Sequence, residues 1–181
     1  IKYNNVCYTR ADESTPIIDI EGTTIVRARM YKNSSYEVPD SITSIADGAF
    51  ANNESLQHIT LPQNLKKIGR KAFMGCSALT RVTLPDSLDV IDDMAFADCI
   101  SLESVEFPDS LKTLGELAFA NCRSLKEVSM PIYIGTWDIK TFIRCKSLSK
   151  VILPVKTMDL IQSVSVTRKK QYRGIYFIRD N

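Results

Sequence analysis

A unit of 23 residues recurs along this chain without insertion. LPQNLKKIGRKAFMGCSALTRVT (61–83) returns as LPDSLDVIDDMAFADCISLESVE (84–106) and again as FPDSLKTLGELAFANCRSLKEVS (107–129). Pro39, Pro62, Pro85, Pro108, Pro131 and Pro154 keep the period, as do Phe50, Phe73, Phe96, Phe119 and Phe142. A fixed period of this length marks stacked units, each unable to bury its apolar face until a neighbour covers it. The chain is therefore expected to be a solenoid, and its function has to be sought on its surfaces.

Within each unit the segment LxxVxL places apolar residues first, fourth and sixth, as in Leu79, Val82 and Leu84. This is the pattern of a short strand whose third and fifth residues point outward. The proline that follows cannot donate to a ladder and ends the strand. A second extended piece, LxxIG, turns Leu65/Ile68, Leu88/Ile91 and Leu111/Leu114 inward. The pairs Ala72-Phe73, Ala95-Phe96 and Ala118-Phe119 are then expected in a short helical turn, with Phe filling the core.

The outward strand positions are the candidate ligand-binding face: His58 and Thr60, Arg81 and Thr83, Ser104 and Glu106, Glu127 and Ser129, and Lys150 beside Ile152. Extended ladders of this kind serve repeat proteins as binding surfaces, although an unused solvated sheet would read the same way. Charge alternates between neighbouring units. Lys66, Asp89 and Lys112 share one column, and Arg70 and Asp93 share another, which favours register rather than catalysis.

Five cysteines are present, and Cys76, Cys99, Cys122 and Cys145 lie on the period, with Asn53 in the same slot of the first repeat. The spacing is not that of a zinc or redox motif. Stacked units would set these sulfurs about 5 Å apart, a spacing that permits disulfides. Stacked side chains point the same way, however, which favours buried free thiols, and the Asn/Cys exchange suggests donation to backbone carbonyls between units.

No chemistry is evident. The single histidine, His58, lies on the outward face without a nucleophile or a metal-spaced ligand set. Glycine-rich phosphate loops are absent. A net charge of +2 does not argue for nucleic acid. No apolar run approaches the roughly 18 residues of a membrane span, so the chain is not expected to cross a membrane. It opens on Ile1 without a signal peptide and reads as a trimmed or mature piece.

The fifth unit departs from the pattern. PIYIGTWDIKTFIRC (131–145) has Trp137 in place of Ile or Leu, Asp138 at the Gly69 and Gly115 slot, and Thr141 in place of Ala. It is expected either to receive a C-terminal cap or to expose a patch of Tyr133, Trp137 and Ile139, with Ile132 and Ile143 nearby. Residues 1–37 read as a hairpin-rich capping unit, 38–154 as five repeats, and 155–181 as a β-rich cap with a basic turn at Arg168, Lys169 and Lys170.

The unit LPxxLxxIGxxAFxxCxSLxxVx resembles the 23-residue leucine-rich repeat of the BspA-like family. The N-terminal stretch, VCYTR followed by TTIVRARMYKNSSYEVPDSITSI, resembles the hairpin unit that often precedes such repeats. The resemblance implies an α/β repeat solenoid: a right-handed leucine-rich repeat superhelix of short parallel strands and short helical turns, capped at both ends. It also implies a secreted or cell-surface protein of bacteria or some protists, and family members include adhesins. The expected role is thus a non-enzymatic interaction or adhesion module without cofactors, whose partner is an extracellular or host protein or a glycan. The alternative is a structural spacer that projects another domain.

Overall fold

The computed structural model describes residues 2–3, 6–7, 16–31, 34–131, 133–135, 137–153, 169–172 and 175–179. Its strands are β1 (Lys2–Tyr3), β2 (Val6–Cys7), β3 (Ile17–Glu21), β4 (Thr24–Arg29), β5 (Ser34–Glu37), β6 (Ser44–Ile45), β7 (Leu56–Thr60) and β8 (Lys67–Ile68). They continue as β9 (Arg81–Thr83), β10 (Val90–Ile91), β11 (Ser104–Glu106), β12 (Thr113–Leu114), β13 (Glu127–Ser129), β14 (Lys150–Leu153), β15 (Lys169–Tyr172) and β16 (Ile175–Arg179).

Each coil gives one strand to each of two sheets. The LxxVxL segments stack as β5-β7-β9-β11-β13-β14, and the LxxIG segments as β4-β6-β8-β10-β12, with every neighbour parallel. The register between repeats is the sequence period: Arg81 pairs with Ser104, Ser104 with Glu127, and Glu127 with Lys150.

Both sheets are finished by antiparallel strands. The β3–β4 hairpin, turned at Gly22 with φ +60°, sets β4 beside β6. At the other end β16 lies parallel to β14, and β15 folds back antiparallel on β16. Lys169 and Lys170 thus begin a strand rather than form a turn. Arg168 and the alternating SVSV segment (163–166) lie outside the described residues.

The helical turns expected at the Ala-Phe pairs do not form. Among the described residues there is no α-helix, and the one helical piece is a 3-10 turn, Ile139–Phe142. Two left-handed residues per coil are the physical reason. Gly48, Lys71, Met94 and Leu117 occupy one such slot, and Asn52, Gly75, Asp98, Asn121 and Arg144 the other, four residues later. A positive φ every fourth residue interrupts a right-handed helix before it can propagate.

These turns also divide the backbone hydrogen bonds. Met74 N–H donates to Lys71 O (3.0 Å) and Cys76 N–H to Phe73 O (3.1 Å), within one coil. Phe73 N–H donates to Ala95 O (2.7 Å) and Gly75 N–H to Ala97 O (2.9 Å), in the next. A helix would have used all of these donors internally; here alternate ones tie coil to coil.

Phe50, Phe73, Phe96, Phe119 and Phe142 are fully buried in one column. Ring centroids of the first four are 4.9, 4.9 and 5.0 Å apart, nearly parallel, and the last step widens to 6.1 Å. Burial of each phenyl contributes on the order of 1.5–3 kcal/mol, and stacking adds to it. The widening falls in the divergent fifth unit. There Thr141 is fully buried in the alanine slot and donates through Oγ1 to Gly115 O (3.2 Å). Asp138 caps the 3-10 turn by accepting from Lys140 N (2.7 Å).

The left-handed slots yield a test. Arg144 is exposed at φ +63°, a conformation open to glycine without a Cβ penalty. Arg144→Gly should raise the unfolding free energy by about 0.5–1 kcal/mol, whereas Arg144→Ala should not. Urea titration of the two variants checks this.

Candidate functional site

The sheet β5-β7-β9-β11-β13-β14 places all nine strand candidates on one side. Within each strand Ile59, Val82, Val105, Val128 and Val151 are buried, while His58, Thr60, Arg81, Thr83, Glu106, Glu127 and Ser129 are exposed and Ser104 and Lys150 half-buried. Registered pairing sorts them into two columns, His58-Arg81-Ser104-Glu127-Lys150 and Thr60-Thr83-Glu106-Ser129, the second ending on Ile152.

The face is unevenly neutralised. Lys150 Nζ meets Glu127 Oε1 at 2.9 Å, across adjacent strands. His58, Arg81 and Glu106 form no ion pair among the described residues. Between β9 and β11 an open hollow of about 430 Å³ is lined by Arg81, Thr83, Ser104 and Glu106, together with Asp86 and Phe107. Sequence reasoning found the four strand residues but not the hollow. The signal was Phe107, the one aromatic in a slot otherwise held by Leu61, Leu84, Met130 and Leu153.

Ionic contacts elsewhere join successive coils. Asp89 meets Lys112 at 2.9 Å, and that side-chain hydrogen bond lowers the Asp89 pKa. Lys67 meets Asp92 at 2.8 Å, which raises the Lys67 pKa. The column containing Arg70 and Asp93 works differently from the expected charge pairing. Asp47 Oδ1 accepts from Arg70 N (2.9 Å) and Asp93 Oδ1 from Glu116 N (2.8 Å), so the carboxylates bind the backbone of the next coil. Glycine precedes each donor for want of space: a Cβ on Gly69 would lie 2.6 Å from Asp47 Oδ1.

The fifth-repeat candidates separate. Tyr133 is 65% exposed, whereas Trp137 is half-buried and packs against the core, and Ile139 opens the 3-10 turn. Ile143 is half-buried and Ile132 lies outside the described residues. Among the described residues the six-stranded sheet ends at β12.

The periodic thiols are free and buried. Each donates to a phenylalanine carbonyl of the preceding coil: Cys76 to Phe50 O (3.1 Å), Cys99 to Phe73 O (3.2 Å), Cys122 to Phe96 O (3.2 Å) and Cys145 to Phe119 O (3.0 Å). Asn53 does the same work with an amide, donating to Ala28 O and Phe50 O while accepting from Met30 N. Burial pushes the Cys76 thiol from 9.0 up to about 12, and Cys99 well above its ordinary value. Such thiols are structural donors rather than nucleophiles. Cys7 lies in β2, and its side chain is outside the described residues.

Among the described residues no group of three or more His, Cys, Asp or Glu could hold a metal ion. Nor is any helix there long and apolar enough to cross a membrane.

Two stacked parallel sheets closed by a 23-residue coil define a leucine-rich repeat solenoid. The BspA type leucine rich repeat region matches residues 27–149 in six copies, and the chain belongs to that family. The match reaches into the β4–β5 segment, which already donates one strand to each sheet as a degenerate coil. Among solved structures, a leucine rich repeat protein of T. pallidum is 33% identical, with a TM-score of 0.69 over 72% of this chain and 63% of that one. A leucine rich cell surface protein of Faecalibacterium prausnitzii (24% identity, TM-score 0.71, 80% and 39% covered) shares the fold. So does the pneumococcal vaccine antigen PcpA (22%, 0.73, 88% and 40%). The chain thus spans less than two thirds of the length of each of these proteins. No curated protein matches it.

The thiol column predicts a pH effect. Near pH 8 both folded and unfolded chains keep Cys76 protonated. Between about pH 9 and 12 only the unfolded chain releases the proton, so this contribution to stability is lost as pH rises through that window. Unfolding midpoints at pH 8 and 10.5 should therefore drop more in the native sequence than in Cys76→Ser. Equal drops would remove Cys76 as the cause.

Proposed function

We propose that this chain is a non-enzymatic protein-interaction module of a secreted or cell-surface protein, binding an extracellular or host protein, or a glycan, through the β7-β9-β11-β13-β14 ladder. The observation that carries this reading is the registered double column: nine polar side chains held on one side of a rigid sheet, over a core that stacks one phenyl per coil. Such a face presents polar groups at fixed intervals of about 4.8 Å, a geometry suited to an extended polymer rather than a small substrate. The cell-surface description of the F. prausnitzii neighbour supports the placement.

The second candidate surface is the fifth-repeat set Tyr133, Trp137 and Ile139, in which Tyr133 is exposed and Trp137 half-buried. The spacer reading draws on the same stacked core, which would hold another domain at a set distance.

A screen of the purified chain against immobilised matrix proteins, mucins and polysaccharides tests the ladder. A Glu106→Lys, Glu127→Lys double variant should fold and lose at least tenfold in affinity. Binding that survives the reversal would move the interface to Tyr133 and the C-terminal strands, and no binding at all would favour the spacer.

A further inference from the structure

The hollow between β9 and β11 differs from the rest of the ladder in three ways. Its carboxylates, Glu106 and Asp86, are exposed and form no ion pair among the described residues, whereas Glu127 farther along is neutralised by Lys150. Its one cation, Arg81, is likewise without an ion pair among the described residues, and it lies diagonally from Glu106 across the registered strands. Third, Phe107 is half-buried there, while Leu61, Leu84, Met130 and Leu153 in the equivalent slot are buried. The reason is packing: Phe107 meets Phe119 edge-on at 5.4 Å beside the central column, and a ring does not fit wholly where Leu or Met does.

We propose that this hollow is the ladder's specificity subsite and that it takes a basic side chain, Lys or Arg, from an extended segment of the partner protein. The proposal rests on the ladder reading above and deepens it. Two carboxylates against one guanidinium leave a single negative charge in excess, which one basic side chain neutralises. The alkyl stem of such a side chain covers the exposed part of Phe107, while its charged head reaches Glu106 and Asp86. Arg81 repels a second cation and donates to the backbone carbonyls of the bound segment. Thr83 and Ser104 supply hydroxyls to the same segment. Since Thr83 pairs with Glu106 and Arg81 with Ser104, these four groups sit on two adjacent strands, with Asp86 and Phe107 just past the strand ends, within reach of two or three consecutive partner residues.

The test uses three heptapeptides, Gly-Ser-Thr-Lys-Thr-Ser-Gly and its glutamate and norleucine counterparts, blocked at both ends and titrated into the isotope-labelled chain. The lysine peptide should shift the amides of residues 81–86 and 104–108 and few others, and the glutamate peptide none of them. Glu106→Gln with Asp86→Asn should weaken lysine-peptide binding at least fivefold. Phe107→Leu, which restores the residue type of the column, should weaken it two- to threefold and leave the fold intact. Equal binding of lysine and norleucine peptides, shifts spread along the whole ladder, or no loss in the double carboxamide variant would each overturn the subsite. The two readings fail separately. If the matrix screen finds a partner sensitive to Glu106 and Glu127 but the lysine peptide ignores the hollow, the ladder stands and the subsite falls.

Discussion

The amides of Phe50, Phe73, Phe96 and Phe119 donate to the next coil, and the structure depends on those bonds. Phe50 to Ala72, Phe73 to Ala95 and Phe96 to Ala118 all measure 2.7 Å. The carbonyls of Phe50, Phe73, Phe96 and Phe119 accept the thiols of the next coil's Cys76, Cys99, Cys122 and Cys145. A phenylalanine is thus fixed at its ring, its N–H and its C=O together. This fixes the rise per coil at the ring spacing of about 5 Å, which is also the strand spacing, and the two sheets and the aromatic column agree without strain.

That agreement is what makes the ladder a surface rather than a set of loops. A one-residue slip would turn Val82 or Val105 outward and bury Arg81 or Ser104, at the cost of desolvated polar groups throughout the sheet. The register therefore protects the outward columns as strictly as the core, and side chains there are free to vary without cost to folding. Replacements such as Leu to Phe107 fall on the border between the two regimes. They keep the core filled and also reshape the surface.

The sequence made the repeat, the inward and outward strand positions, the thiol column and the family legible, because each is a periodic pattern of residue type. What it hid was aperiodic in type. One left-handed slot is held by Gly48, Lys71, Met94 and Leu117, residues with no common signature, so the Ala-Phe segment read as helical. Asp47 and Asp93 bond to backbone rather than to Arg70, which charge columns alone do not reveal. Trp137 stands in the slot of Ile68, Ile91 and Leu114, and the divergence of its unit left open whether it received a cap or joined an exposed patch; it packs against the core. The hollow arises from the mismatch of one ring, Phe107, with its neighbours in the column, a single departure that the repeat pattern masks.

Native-state hydrogen exchange measures the central claim most directly. The amides of Phe73 and Phe96 should exchange only through global unfolding, with the same denaturant dependence as those of Val82 and Val105 in the strands. Exchange of the phenylalanine amides as fast as that of Ile100, on the exposed loop, while the strand amides stay protected would show that the coils are held by the sheets alone, and the account of the turns would be wrong.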